Sequence, residues 1–110
     1  MKVYIAFPYG RRRGLTEKQC ETNVLKSIEV ARQVIQMGHN PFLPNLYHYV
    51  HKGWVETLEE DEWAKITAEW IEDCDVLLFL GNEQSIGCQR EKDIARFLGK
   101  PIIWKVEELP

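Results

Sequence analysis

Two hydrophobic periods alternate along the chain. KVYIAF (residues 2–7) and DVLLFL (75–80) are almost unbroken apolar runs, the pattern of strands buried on both faces of a parallel sheet. Val24, Ile28, Ala31 and Ile35 instead recur at helical spacing. Thr16 with Gln19 predicts a capping box at the front of that helix, and Gly38 stops it. NPFLP (40–44) predicts only a short strand, because its prolines cannot donate to a ladder and fit at ends or edges. Thr57 and Glu60 predict a second capping box, for a helix through about Glu72. A last helix runs to Gly99, and PIIWKV (101–106) predicts the final strand. This alternation predicts one domain, 1–110, built as a three-layer α/β/α sandwich of Rossmann or flavodoxin-like type. Its sheet is expected to be small, mostly parallel and of four to five strands. Ligands bind at the carboxyl ends of such strands, so the segments 8–14, 44–57 and 81–87 are expected along the working edge.

Composition narrows the class. With 110 residues, 45% hydrophobic and 28% charged, the chain holds one modest core. A net charge of −3 gives no reason to expect a nucleic-acid polymer as partner. No apolar run approaches a membrane span, and MKVYIAFPYG reads as a first strand, not a signal peptide. Three widely spaced cysteines (Cys20, Cys74, Cys88) suit a reducing cytoplasm. FPYGRRRG lacks the glycine spacing of a dinucleotide fingerprint, and no GK[ST] follows a strand. Asp75 opens its strand, which argues against a phospho-receiver domain. His48 and His51 share a helical face, but no third ligand has metal-site spacing. No metal and no cofactor are expected.

The informative residue is Glu91. Cys88, Ala95 and Leu98 lie three before, four after and seven after it, so the carboxylate shares a face with residues that bury. An inward carboxylate either pairs with a buried cation or waits for a ligand. Its place near a helix N-terminus is expected to favour the ionised form.

Several pieces together resemble the nucleoside 2-deoxyribosyltransferase superfamily, which includes a nucleoside 5′-monophosphate N-glycosidase branch. They are VYIAFPYG at the start, ETNV (21–24), GHNPFLP (38–44), WIEDCDVLLFL (70–80) and SIGCQRE (85–91), then IA (94–95) and GKPI (99–102). The resemblance implies Glu91 as a nucleophile at C1′ of a sugar and Tyr4 as the residue that orients it. Ser85 and Gly87 would contact the sugar or its 5′ phosphate. Pro8, Tyr9, Gly10 and Arg11 in the first loop, and Asn45, His48 and Trp54 in the second, complete the expected substrate-binding set. Arg11, Arg12 and Arg13 are either a phosphate-binding run or a solvated one. Tyr47, His48 and Trp54 either stack on a base or cover the sheet edge. Trp63 and Trp70 are expected in the core or a subunit interface. Two positions depart from the family pattern: Thr67 stands where relatives carry an aspartate, and Phe7 replaces the usual glycine. Glu69 or Asp73 are candidates for the missing acid, with Glu59, Glu60, Asp61 and Glu62 one or two turns earlier, and the sequence assigns none of them the role. Relatives complete each site with a neighbouring subunit, which implies a homodimer or larger homo-oligomer.

The implied function is cleavage or (deoxy)ribosyl transfer at the N-glycosidic bond of a nucleoside or nucleoside 5′-monophosphate. The alternatives are an inactive nucleotide-binding module and a hydrolase of another N-glycoside such as NAD.

Overall fold

Parallel pairing of four short strands organises the chain. In this computed structural model, which describes residues 1–110, β1 (Lys2–Ala6), β2 (Asn40–Phe42), β3 (Val76–Phe79) and β4 (Ile102–Ile103) lie in the order β2-β1-β3-β4. Every pairing is parallel, with Tyr4 beside Leu77 and Ala6 beside Phe79 in the central pair. Successive side chains point to opposite faces. Val3, Ile5, Val76 and Leu78 therefore pack with Val34 of α1 (Glu17–Gln36). Tyr4, Ala6, Leu77 and Phe79 pack on the other face, with Ile71 of α3 (Glu60–Asp73) and Cys88 and Ala95 of α4 (Ile86–Phe97). The result is the expected three-layer sandwich, with a four-stranded, wholly parallel sheet. Leu77 and Leu78 are fully buried, and truncating either to alanine should cost about 2–5 kcal/mol. No helix is long and apolar enough to cross a membrane.

Several local expectations shift. The Thr16–Gln19 box caps α1 as anticipated. The second box is Glu59 with Glu62, not Thr57 with Glu60. The Glu60 carboxylate is drawn instead to Arg11, 3.2 Å away. Segment 45–54 is not an open loop: Pro44, pre-set for a helical turn, starts a 3₁₀ turn (Pro44–Tyr47) that runs into α2 (His48–His51). The last strand pairs over two residues only, and Val106–Glu108 turns to seat Leu109 in the α1-side core.

Strand order creates the crevice. The chain passes from β1 through α1 to β2 on one side, then crosses to β3 on the other side of β1. The carboxyl ends of β1 and β3 form the switch point where α/β sheets bind ligands.

Candidate active site

A cavity opens at that switch point, and three segments wall it. The first follows β1. Gly10 takes φ +112°, and a Cβ there would fall 2.3 Å from Leu15 Cδ1, so only glycine closes the turn into a 3₁₀ helix at Arg11–Arg13. Asn23 and Asn45 fix this loop by donating to the carbonyls of Tyr9 (2.9 Å) and Pro8 (3.3 Å). The second wall comes from Pro44–Tyr47, α2 and the first two turns of α3. The third is the start of α4, where Ser85 and Gly87 face the cavity.

Glu91 lies on the floor. Tyr4 is fully buried and donates its hydroxyl to Glu91 Oε2. No lysine, arginine or histidine pairs with this carboxylate, whereas three other acidic residues near the cavity, Glu21, Glu60 and Asp61, do have cations. Burial pushes the Glu91 carboxyl up to about 7, and the Tyr4 hydrogen bond opposes this only in part. The expected dipole effect is thus overruled. Glu91 is the sixth residue of α4, beyond the first turn where that field is felt. Burial and the neighbouring Glu91 hold Tyr4 well above the ordinary phenol range, so it stays a donor. Thr67, donating to the Ala64 carbonyl at 3.1 Å, also lines the cavity.

The α4 wall is shaped for close approach. A Cβ on Gly87 would meet nothing of the protein within 4 Å, so the space before it is open to a ligand. Ser85 is buried and exchanges hydrogen bonds with Asn82, donating to Oδ1 at 3.1 Å. The arginine run is neither free nor simply solvated. Arg11 and Arg12 pair with Glu60, and Arg12 and Arg90 share Asp61 at 3.1 and 3.0 Å. Arg13 is exposed and has no ion pair, and all four arginines are among the residues that line the cavity.

The opposite wall is aromatic. Tyr9 bridges His48 and His51 through its hydroxyl, and the Tyr47 and Trp63 rings lie 5.4 Å apart. Trp63 was expected in the core or an interface, yet it lines the cavity with a buried indole N–H that has no partner. Its helical spacing matched Trp70, which instead stacks on Phe42 at 4.6 Å; nothing in the pattern separated the two. Trp54 is not brought to the site. It is 45% exposed and lies outside the cavity wall, because the chain turns away after His51. Glu69 and Asp73 also lie outside it. No cluster of three His, Cys, Asp or Glu side chains is arranged to hold a metal. Pro8, Tyr9, Gly10, Asn45 and His48 do converge on the cavity with Glu91, Ser85 and Gly87.

Comparison with known proteins adds two findings. The family described as "Domain of unknown function (DUF7768)" matches residues 1–105. The fold is similar to that of a 2-deoxyribosyltransferase from the psychrotolerant bacterium Bacillus psychrosaccharolyticus, with a TM-score of 0.54 and 24% identity over 93% of this chain and 69% of that one. No curated protein sequence matches the chain.

Proposed function

The chain belongs to the DUF7768 family, whose description leaves its chemistry open, and we propose that it cleaves the N-glycosidic bond of a nucleoside 5′-monophosphate. One observation carries this reading: Glu91 is a half-buried, strongly desolvated carboxylate with a phenol donor and no counter-cation. A structural carboxylate at such a depth needs a cation, since an unpaired buried charge is costly. A glycosidic transition state develops positive charge at C1′ and supplies the missing partner when the barrier is being crossed. Stabilisation then falls on the transition state more than on the ground state.

The step runs as follows. Glu91 attacks C1′, the C1′–N bond breaks, and its electron pair leaves with the base nitrogen, which takes up a proton from solvent; the attacking water of the next step gives one proton back. Water then attacks C1′ of the glycosyl ester, releases the sugar phosphate and returns the carboxylate; a second base in place of water gives transfer. Tyr4 holds the Glu91 rotamer. The N-terminal amides of α4, with Ser85 and Gly87, suit the phosphate, and Arg13 adds a cation without an acidic partner. The aromatic wall suits the base.

A second reading has one observation in its favour. Apart from Glu91, the only acid lining the cavity is Glu60, already paired with Arg11 and Arg12, and Thr67 stands where relatives carry an aspartate. A nucleotide-binding module without turnover would look the same. Incubation with nucleosides, their 5′-monophosphates and NAD, followed by chromatography of free base, separates these readings. The glycosidase reading expects base from a monophosphate. Tight binding with no base released from any substrate supports the module, and nicotinamide release supports an NAD hydrolase.

A further inference from the structure

A neutral base leaves well only when its nitrogen is protonated, and the cavity is poor in groups that can supply the proton. Such a donor must hold a proton near neutral pH, release it readily and reach the base. Close to the Tyr4 hydroxyl that holds Glu91 stands Thr67. It is a hydroxyl, not an acid, and its proton goes to the Ala64 carbonyl at 3.1 Å. Glu60, the other acid on the cavity wall, is committed to Arg11 and Arg12. His48 is buried, with Nδ1 bonded to Tyr9 at 2.6 Å and Nε2 turned to Glu21, 3.7 Å away and outside the cavity. The His51 pKa is lowered, by burial first, and its Nε2 is taken by the Tyr9 hydroxyl. Burial raises the pKa of both Tyr9 and Cys88, so each holds its proton too tightly to pass it on. The Tyr47 hydroxyl is engaged by Trp70 Nε1 at 3.1 Å.

What the cavity does present suits positive charge at the base. Glu91 has no cation of the protein's own, and the aromatic wall of Tyr47 and Trp63 suits a flat cation. The four arginines that line the same cavity answer the phosphate. We infer that the substrate is a nucleoside 5′-monophosphate whose base is a cation, a pyridinium or an N7-alkylated purine. This inference rests on the reading of the cavity as a glycosidase site. With such a base the step needs no acid. A Glu91 oxygen bonds to C1′, the C1′–N bond breaks, and its electron pair cancels the charge on the ring, so the base leaves neutral. Water then attacks C1′, the ester bond returns its pair to Glu91, and one water proton passes to solvent. Adenine or guanine must instead leave as an anion or wait for a proton from solvent.

The test compares GMP with 7-methylguanosine 5′-monophosphate, and AMP with nicotinamide mononucleotide, by chromatography of free base. Each rate is divided by the uncatalysed rate of the same substrate, so that the intrinsic lability of a cationic base cancels. The acceleration should be at least ~10²-fold greater for the cationic member of each pair, the lower range of what a positioned acid supplies. On nicotinamide mononucleotide, kcat/KM should rise through about pH 7 with Glu91 and show no descending limb up to about pH 9, since no acid is there to lose its proton. Thr67→Asp adds a carboxyl to the same wall and should narrow the gap between GMP and its methylated partner. Equal acceleration within the pairs, or a bell-shaped profile, overturns the inference while the glycosidase reading stands. Base released from none of the four substrates brings down the glycosidase reading and the inference with it.

Discussion

At the residue scale, the account turns on a carboxylate whose ionisation burial shifts to neutral pH. With a pKa of about 7, Glu91 is ionised in half the molecules at neutral pH, and the nucleophile is the ionised form. We predict that kcat/KM rises through about pH 7 to a plateau, with roughly a tenfold loss one pH unit below the midpoint. A flat profile between pH 5 and 9 would contradict the assignment. Tyr4→Phe removes the donor that partly offsets burial, so this midpoint should move upward. Gly87→Ala adds a methyl to space that the protein itself leaves empty; folding should be unchanged while nucleotide affinity falls, as a thermal shift with AMP would show. Glu91 was legible because its helical neighbours Cys88 and Ala95 announce a buried face. The Tyr9–His48–His51 chain was not. Its members meet across 39 and 42 residues, a distance that no local period spans.

At the scale of elements, the arginine turn and the start of α4 form the anion-binding half of the cavity. Arg11 and Arg12 are already engaged by Glu60 and Asp61, so their loss disturbs the turn as well as the ligand. Arg13 is without an ion pair, which makes Arg13→Ala the cleaner change. A charged hydrogen bond contributes ~1.5–3 kcal/mol, so this variant should lose about tenfold or more in kcat/KM on a monophosphate and little on the matching nucleoside. Equal losses on both would remove Arg13 from the phosphate site. Helix and strand positions followed from periodicity, but the α3 cap did not. Two overlapping patterns, Thr57/Glu60 and Glu59/Glu62, compete there, and tertiary ion pairing decides for the second. The turn into α2 was hidden because its residues carry aromatic and histidine side chains with no apolar repeat.

At the scale of the molecule, α3 and α4 leave an apolar groove uncovered, bordered by Phe97 at 90% exposure and Ile86 at 49%. It adjoins the cavity through Ile86, Arg90 and Ile94. We propose that a second copy covers it, and light scattering should give twice the 12.9 kDa chain mass, reduced by Phe97→Glu. A monomer at micromolar concentration would count against this interface. The layer order and the parallel sheet were legible because an alternating α/β pattern leaves few topologies. The groove was not, because an exposed apolar stripe and a core face carry the same helical spacing. Global stability also reports on the central residue. Glu91 binds its proton more tightly folded than unfolded, so its contribution favours the fold at low pH and is lost as the pH rises from 4.5 through about 7. The ionised carboxylate thus costs on the order of 3 kcal/mol above that range. Glu91→Gln, measured for turnover and melting temperature at pH 8, puts both consequences into one comparison. Turnover should fall by at least ~10²-fold while the melting temperature rises by several degrees. Retained turnover in the folded variant, or a lower melting temperature, would contradict a catalytic carboxylate without a cation.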